Sequence, residues 1–169
     1  MSAEEHCAAS DVIELLRSRE WSVATAESLT GGLVCAALTA VAGASDCVNG
    51  GVVAYCPSAK ADLLGVSRRV LKAQGPVDPA VAVQMARGAA RVLHADLAIS
   101  TTGVAGPDPH GGAGPGTVYV GWWTAHASGA KRWDLNGDRA AIQKQTVDLA
   151  LDVMCDLAGG SASSRSKRT

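Results

Sequence analysis

The sequence predicts an α/β fold, a three-layer sandwich in which helices flank a mixed, mainly parallel sheet. Helix-like and strand-like segments alternate through the first half of the chain, which favours parallel strands joined by helices. A hairpin-like pair of strands comes late and makes the sheet mixed. With 169 residues and 47% apolar content, the chain is long enough for one core. We expect a single domain over residues 1–158 and a flexible, polar and basic tail over residues 159–169.

Composition argues against several classes of protein. The net charge of −1 gives no general electrostatic reason to bind nucleic acid or a membrane. No apolar run is long enough to span a bilayer, and the acidic N-terminus lacks the apolar segment of a signal peptide. The five cysteines are odd in number, widely spaced and without a C-x-x-C pair, which argues against a disulfide framework and a zinc site. We therefore expect a cytoplasmic protein.

The first elements follow from apolar spacing. Val12, Ile13 and Leu16 form one face of a first helix, for which Ser10 is a plausible N-cap. A short strand over residues 21–24 precedes an apolar helix over residues 33–41. Residues 48–55 read as the next strand.

A short helix then begins at Pro57, where the missing N–H is tolerated, and stops at Gly65. Asp78 and Pro79 start a long helix that ends near His94 and is expected to bury four apolar residues, Val81, Met85, Ala89 and Val92. Strands are predicted over residues 96–101, 117–125 and 131–135. A final helix runs from Gly137 to about Leu157.

The stretch TAESLTGG, residues 25–32, joins the first strand to the second helix. Ser28 and Thr30 would lie beside the first N–H groups of that helix, which carry partial positive charge. Gly31 and Gly32 lack side chains, so a ligand can approach the backbone. The stretch therefore predicts a site for an oxyanion or a bound anion. The alternative is that Ser28 or Thr30 simply caps the helix.

The loop of residues 103–116 is rich in glycine and proline and longer than an ordinary connection. It has neither the Gly-Lys-Ser/Thr ending of a Walker A loop nor the setting of a dinucleotide fingerprint. We expect a backbone cradle at the carboxyl end of a strand, the alternative being a mobile surface loop. Asp108 and His110 are too few for a convincing metal site.

Two cationic residues complete the candidates. Lys60, if desolvated near a strand end, can lose its proton near neutral pH and act as a base, although most lysines are simply solvated. Arg139 at a helix start suits a phosphate or carboxylate, the alternative being a surface charge. The four histidines lie outside the stretches around Ser28, Lys60 and Arg139, and no G-x-S-x-G or S-x-x-K motif occurs at Ser28, so no Ser-His-Asp triad is suggested.

Taken together, the motifs resemble those of the CinA C-terminal domain family, which includes stand-alone nicotinamide-nucleotide amidohydrolases. The matching motifs occur in the family's order over residues 12–154: TAESLTGG, GGVVAYCPSAKADLLGV, TTGVAGP with GTVYVG, and GDR. The resemblance implies hydrolysis of the carboxamide of nicotinamide mononucleotide to nicotinic acid mononucleotide and ammonia. It also implies a serine–lysine arrangement, with no metal and no cofactor.

The resemblance implies a role for individual residues. Ser28 matches the nucleophile and Lys60 the base, while Tyr55, Thr102 and Arg139 match polar positions around the site. Tyr55 or Thr102 can relay a proton or orient Lys60, and Arg139 can bind the nucleotide phosphate. The remaining candidates for substrate binding are backbone positions in two motifs and one threonine: Thr30, Gly31, Gly32, Gly103 and Gly106.

The sequence departs from the family in two places. Cys56-Pro57 stands where the family often has Ser-Asn, and Ala113-Gly-Pro-Gly stands where a Lys-Pro often precedes the Gly-Thr-Val. We expect the stand-alone form, with a small-molecule nucleotide as partner and no nucleic acid or membrane. A homo-oligomer is one possibility. Two other functions stay open, a non-catalytic nucleotide- or partner-binding module and an amidase for another small amide.

Overall fold

A computed structural model describes residues 6–159, so the predicted tail lies almost wholly outside the described residues. Six α-helices are present in this part of the chain: α1 (Ala9–Ser18), α2 (Leu33–Thr39), α3 (Pro57–Leu64), α4 (Arg68–Gln74), α5 (Pro79–Leu93) and α6 (Arg139–Leu157). Five strands form the sheet: β1 (Val23–Glu27), β2 (Val48–Val53), β3 (Leu97–Gly103), β4 (Thr117–Thr124) and β5 (Ser128–Asp134).

The five strands form one mixed sheet in the order β2-β1-β3-β4-β5. β1 lies between β2 and β3 and is parallel to both, with Glu27 opposite Val53 on one side and Thr101 on the other. β4 pairs antiparallel with β3 and with β5. The predicted α/β fold is therefore confirmed, with the parallel strands at one side of the sheet and the late hairpin at the other.

Helices cover both faces of the sheet and enclose two separate cores. On one face, α1, α2 and α6 pack on residues such as Val23, Leu97 and Ile99. On the other face, α3 and α5 pack on a layer of small residues that includes Ala24, Ala26 and Ala98. Because these strand residues are alanines, α5 can lie close to the sheet, and it contacts all five strands.

Several local predictions need correction. The helix α1 begins at Ala9 after the N-cap Ala8, so the predicted cap Ser10 lies inside the helix. The amphipathic pattern placed Val92 in the core, yet it is 45% exposed, because it lies in the last turn of α5, where the neighbouring Arg91 and His94 are exposed as well. The helix α4 was missed because its seven residues bury no side chain and carry no apolar stripe.

The cysteine prediction also needs correction. The structure joins Cys7 to Cys155 in a disulfide, with 6.6 Å between the Cα atoms. The spacing of the cysteines in the sequence could not predict this disulfide. The two partners are 148 residues apart, and the packing of the N-terminal segment on α6 brings them together. Among residues 6–159, no helix has both the length and the hydropathy needed to cross a membrane.

The close packing of α3 against α5 depends on Gly88. A Cβ atom at Gly88 would lie 2.1 Å from the backbone oxygen of Leu64, at the end of α3. This distance is far below a van der Waals contact, and a backbone atom cannot rotate away as a side chain can. The absence of a side chain at Gly88 therefore sets how near α3, which carries Lys60, lies to α5.

We predict that Gly88→Ala lowers the free energy of unfolding by about 1–3 kcal/mol, because the methyl group forces α3 and α5 apart. This loss should outweigh the gain of about 1 kcal/mol that alanine brings to a helix interior. Urea unfolding followed by circular dichroism measures the change. Gly114→Ala is the control, since a Cβ there meets no atom within 4 Å; equal stability of the two variants would contradict the prediction.

Candidate active site

A cavity of about 300 Å³ lies where the parallel strands end and the loop of residues 103–116 folds over them. Parallel α/β sheets place ligands at these carboxyl ends of the strands, and the volume suits a small molecule. The cavity brings together seven of the predicted site residues: Ser28, Tyr55, Lys60, Thr102, Gly103, Gly106 and Arg139.

Ser28 is the first residue after β1 and lies at the floor of this cavity. Its N–H donates to the carbonyl of Thr101 at 3.0 Å, which continues the parallel pairing of β1 with β3 by one residue. Its carbonyl accepts from the N–H of Gly31 at 3.1 Å, closing the turn before α2. The serine is 8% exposed, so the hydroxyl is held in a nearly dry environment.

Lys60 extends from α3 into the same floor. Its Nζ lies 2.7 Å from Ser28 Oγ and 2.8 Å from the carbonyl oxygen of Ala54. The lysine is 1% exposed, although lysine side chains normally extend into solvent. The helix α3 is delimited as predicted, by Pro57 in its first turn and by Gly65 in the left-handed conformation at its end.

Burial lowers the pKa of Lys60 from its ordinary value of 10.5 to about 8. Desolvation is the main cause, because removing the ammonium from water disfavours the charged form. The nearby Cys56 acts in the opposite direction and raises the pKa by a smaller amount. The neutral amine, which can accept the hydroxyl proton of Ser28, is thus accessible near neutral pH.

The start of α2 differs from the sequence-based picture. The Glu27 carboxylate accepts hydrogen bonds from the N–H groups of Gly32, Val34 and Cys35 at 2.8–3.0 Å. It also accepts from the hydroxyl of Thr30 at 2.6 Å. The N–H groups at the start of α2 are therefore occupied by a side chain of the protein and are not free for a substrate anion.

The predicted binding residues of this turn lie outside the cavity lining. Thr30 is 1% exposed and its hydroxyl is engaged by Glu27 and Thr101. The N–H of Gly31 donates to Ser28 and that of Gly32 to Glu27. The geometry therefore gives the Thr30 hydroxyl and the N–H groups of Gly31 and Gly32 a part in holding the turn.

The two hydroxyls considered as proton relays lie at the cavity but do not contact Lys60. Thr102 Oγ1 donates to the carbonyl of Pro76 at 2.7 Å. Tyr55 is 64% exposed and stands at the cavity mouth, directly after the Ala54 carbonyl that Lys60 contacts. The carbonyl of Ala54, which the sequence did not suggest, is the group that orients the amine.

Arg139 is the first residue of α6 and closes one side of the cavity. Its Nη2 donates to the carbonyl of Gly106 at 2.5 Å, which ties the loop of residues 103–116 to α6. Gly103 lies at the end of β3, where a side chain would collide with the backbone of Thr117. The remaining N–H groups of Arg139 are available to an anionic group in the cavity.

Asp108 and His110 also line the cavity, in the same loop. Within residues 6–159, no group of three or more His, Cys, Asp or Glu side chains converges as metal ligands would. His110 is thus a wall residue, while the group within hydrogen-bonding distance of Ser28 Oγ is Lys60.

The CinA C-terminal domain model matches residues 5–158. A Geobacillus kaustophilus protein, whose name provisionally places it among competence-damage inducible proteins, is 45% identical over 136 residues; the match covers 80% of this chain and 33% of that protein. A CinA-like protein of Salinibacter ruber is 42% identical over 140 residues; the match covers 82% of this chain and 34% of that protein. The chain thus spans about a third of the length of these relatives.

Solved structures match over nearly their whole length. The chain is similar to a competence-damaged protein (CinA) superfamily protein from Klebsiella pneumoniae 700603, with a TM-score of 0.86 and 32% identity over 90% of this chain and 96% of that one. It is also similar to an Escherichia coli member of that superfamily, with a TM-score of 0.85 and 30% identity; the match covers 88% of this chain and 87% of that one.

We predict that Lys60 makes stability depend on pH between about 8 and about 10.5. In this range the unfolded chain binds the lysine proton and the folded chain does not, so the free energy of unfolding rises with pH. Over the whole of this pH range, Lys60 raises the free energy of unfolding by about 3 kcal/mol. Urea unfolding across this range should show the rise in the wild type and not in Lys60→Met. Parallel curves for the two proteins would mean that the lysine keeps an ordinary pKa.

Proposed function

Because the chain belongs to the CinA C-terminal domain family, we propose that it hydrolyses the carboxamide of nicotinamide mononucleotide to nicotinic acid mononucleotide and ammonia. The observation that carries the proposal is the 2.7 Å contact between Lys60 Nζ and Ser28 Oγ at the floor of a small-molecule cavity. A binding protein has no need of a buried amine with a lowered pKa beside a hydroxyl. The family resemblance of the motifs supplies the substrate.

In the first half of the reaction, neutral Lys60 takes the hydroxyl proton as Ser28 Oγ attacks the carboxamide carbon. The carbonyl of Ala54 accepts a hydrogen bond from the amine and keeps its lone pair directed at the hydroxyl. The tetrahedral intermediate then loses its C–N bond. The ammonium of Lys60 returns the proton to the departing nitrogen, so ammonia leaves and an ester to Ser28 remains.

In the second half, a water molecule enters the position that ammonia has left. Lys60, neutral again, takes a proton from this water as its oxygen attacks the ester carbon. The C–Oγ bond breaks, the proton passes from Lys60 to Ser28 Oγ, and the acid leaves and gives its remaining proton to solvent, becoming a carboxylate. One base on one side of the serine therefore serves both halves of the reaction.

The backbone after Ser28 supplies donors for the oxyanion of the two tetrahedral intermediates. Within the described part of the chain, the N–H groups of Leu29 and Thr30 donate no hydrogen bond to another protein group. Leu29 also lines the cavity. Backbone N–H groups held rigidly next to the nucleophile are suited to stabilise developing negative charge.

Arg139 is the group we propose for the phosphate of the nucleotide. Its guanidinium stands at the cavity edge and is held there by the Gly106 carbonyl, with further donors left over. The proposed partner is thus a small nucleotide and neither a nucleic acid nor a membrane. We also propose the cytoplasm as its location.

We predict that the wild type releases ammonia from nicotinamide mononucleotide and that Ser28→Ala and Lys60→Ala each lower kcat at least about 1000-fold, because each removes a group that acts directly on the reacting atoms. An enzyme-coupled ammonia assay measures the rates. Lys144→Ala is the control, since Lys144 is an exposed lysine paired with Asp148 on the outside of α6. Activity that survives Ser28→Ala would reduce Ser28 to a structural residue of the turn.

We predict that Arg139→Ala raises the KM for nicotinamide mononucleotide about 10- to 100-fold, the effect of losing a charged hydrogen bond, with kcat little changed. Nicotinamide riboside, which lacks the phosphate, should show no such rise. Arg132→Ala serves as the control, because Arg132 pairs with Asp134 on β5 outside the cavity lining. An equal loss for both substrates would mean that Arg139 acts only by holding the loop through Gly106.

A further inference from the structure

We propose that Glu27 is the positioning residue of Ser28: its carboxylate fixes the turn that carries the serine and thereby sets the distance of Oγ from Lys60. The inference rests on the proposed function in one respect, that Ser28 is the nucleophile. Glu27 precedes Ser28 directly, is 1% exposed and is not part of the cavity lining. It would therefore act through the backbone and would not touch the substrate.

Five donors surround this carboxylate. Oε2 accepts from the N–H groups of Gly32 and Val34, both at 3.0 Å, and from Thr30 Oγ1 at 2.6 Å. Oε1 accepts from the N–H of Cys35 at 2.8 Å and from Thr25 Oγ1 at 3.2 Å. The group is used only as an acceptor, as a carboxylate must be. Among residues 6–159 it makes no salt bridge, so these donors and the dipole of α2 compensate its burial.

We call Glu27 and its five donors the Glu27 cage. Hydrogen bonds extend from this cage to both sides of Ser28. Thr30 has one hydroxyl proton, and it goes to Glu27, so the 2.7 Å contact between Thr30 and Thr101 is donated by Thr101. The same Thr101 accepts the N–H of Ser28 through its carbonyl. Glu27, Thr30 and Thr101 therefore tie the start of α2 to β3, with Ser28 enclosed between the two attachments.

The cage also explains why the catalytic floor needs a carboxylate at this position. The N-cap of α2 is Gly32, which has no side chain to satisfy the helix N–H groups. Glu27, the last residue of β1, accepts hydrogen bonds from these N–H groups across the turn. The end of β1 and the start of α2 therefore cannot move independently. A displacement of about 1 Å at a nucleophile can cost about 100-fold in rate, which makes such a constraint valuable for catalysis.

The decisive variant is Glu27→Gln. Its side chain has the same shape, but an NH₂ group replaces one acceptor oxygen, so at least one backbone N–H of α2 loses its acceptor and faces another donor. We expect kcat for nicotinamide mononucleotide to fall at least about 10-fold while KM changes less than about threefold, because the cavity wall is untouched. Steady-state kinetics well below the thermal midpoint measures both constants.

Leu38→Ala is the matched control for lost stability. Leu38 is fully buried on the same helix, α2, but takes no part in the cage. It should lower the thermal midpoint and leave kcat unchanged. If both variants lower the midpoint and both keep the wild-type kcat, Glu27 is only a structural residue and the proposal is overturned.

A second variant decides the case if Glu27→Gln does not fold. Thr30→Val keeps the carboxylate and the side-chain shape but removes the link from Glu27 to Thr101. The proposal expects a lower kcat at unchanged KM here as well. Wild-type kcat in Thr30→Val would contradict it.

A substrate-independent readout separates this inference from the proposed function. An alkyl fluorophosphonate forms a P–Oγ bond with an activated serine as fluoride leaves and the base takes the hydroxyl proton, and peptide mass spectrometry locates the label. If the wild type fails on nicotinamide mononucleotide but Ser28 is labelled, and more slowly in Glu27→Gln than in Leu38→Ala, the substrate is wrong and the positioning role stands. An unlabelled Ser28 in the wild type would overturn both proposals.

Discussion

The burial of the Lys60 amine is the constraint on which the rest of the site depends. An ammonium removed from water is costly, so the protein must either neutralise it or surround it with acceptors. Among residues 6–159 the Lys60 amine has only Ser28 Oγ and the Ala54 carbonyl as hydrogen-bonding partners, and desolvation lowers its pKa to about 8. The close approach of α3 to α5 at Gly88 keeps the helix that carries this lysine against the end of the sheet. The packing of α3 on α5 therefore holds the Lys60 amine in the position where burial lowers its pKa.

The two halves of the turn after β1 serve different purposes. Glu27 satisfies the N–H groups at the start of α2, which a simple helix-terminus site would offer to the substrate. The N–H groups of Leu29 and Thr30, which precede the helix, are left free of protein acceptors within residues 6–159. The N–H donors and the dipole of α2 offset the Glu27 charge, so the buried carboxylate repels the proposed oxyanion less than an uncompensated charge would.

The departures from the family pattern lie where the fold tolerates them. Pro57 occupies the first turn of α3, where a missing N–H costs no hydrogen bond. Cys56 is exposed, with Sγ 3.1 Å from Ser58 Oγ; its carbonyl accepts the backbone N–H of Lys60, and its side chain acts on the Lys60 amine through charge. The chain spans about a third of the length of the curated relatives and nearly all of the length of the matching solved structures.

The sequence by itself determined the alternation of helices and strands, the limits of α3 and α5, and Ser28, Lys60 and Arg139 as candidates, because periodicity, capping residues and motif order are local properties. Only the tertiary structure decided what each group contacts. The carbonyl of Ala54 has no side-chain signature, Glu27 reaches its partners across a turn, and Cys7 meets Cys155 through the packing of α6. The structure also showed that the Thr30 hydroxyl is a partner of Glu27. Contacts between residues far apart in the chain depend on how the layers pack, and local pattern carries no information about that packing.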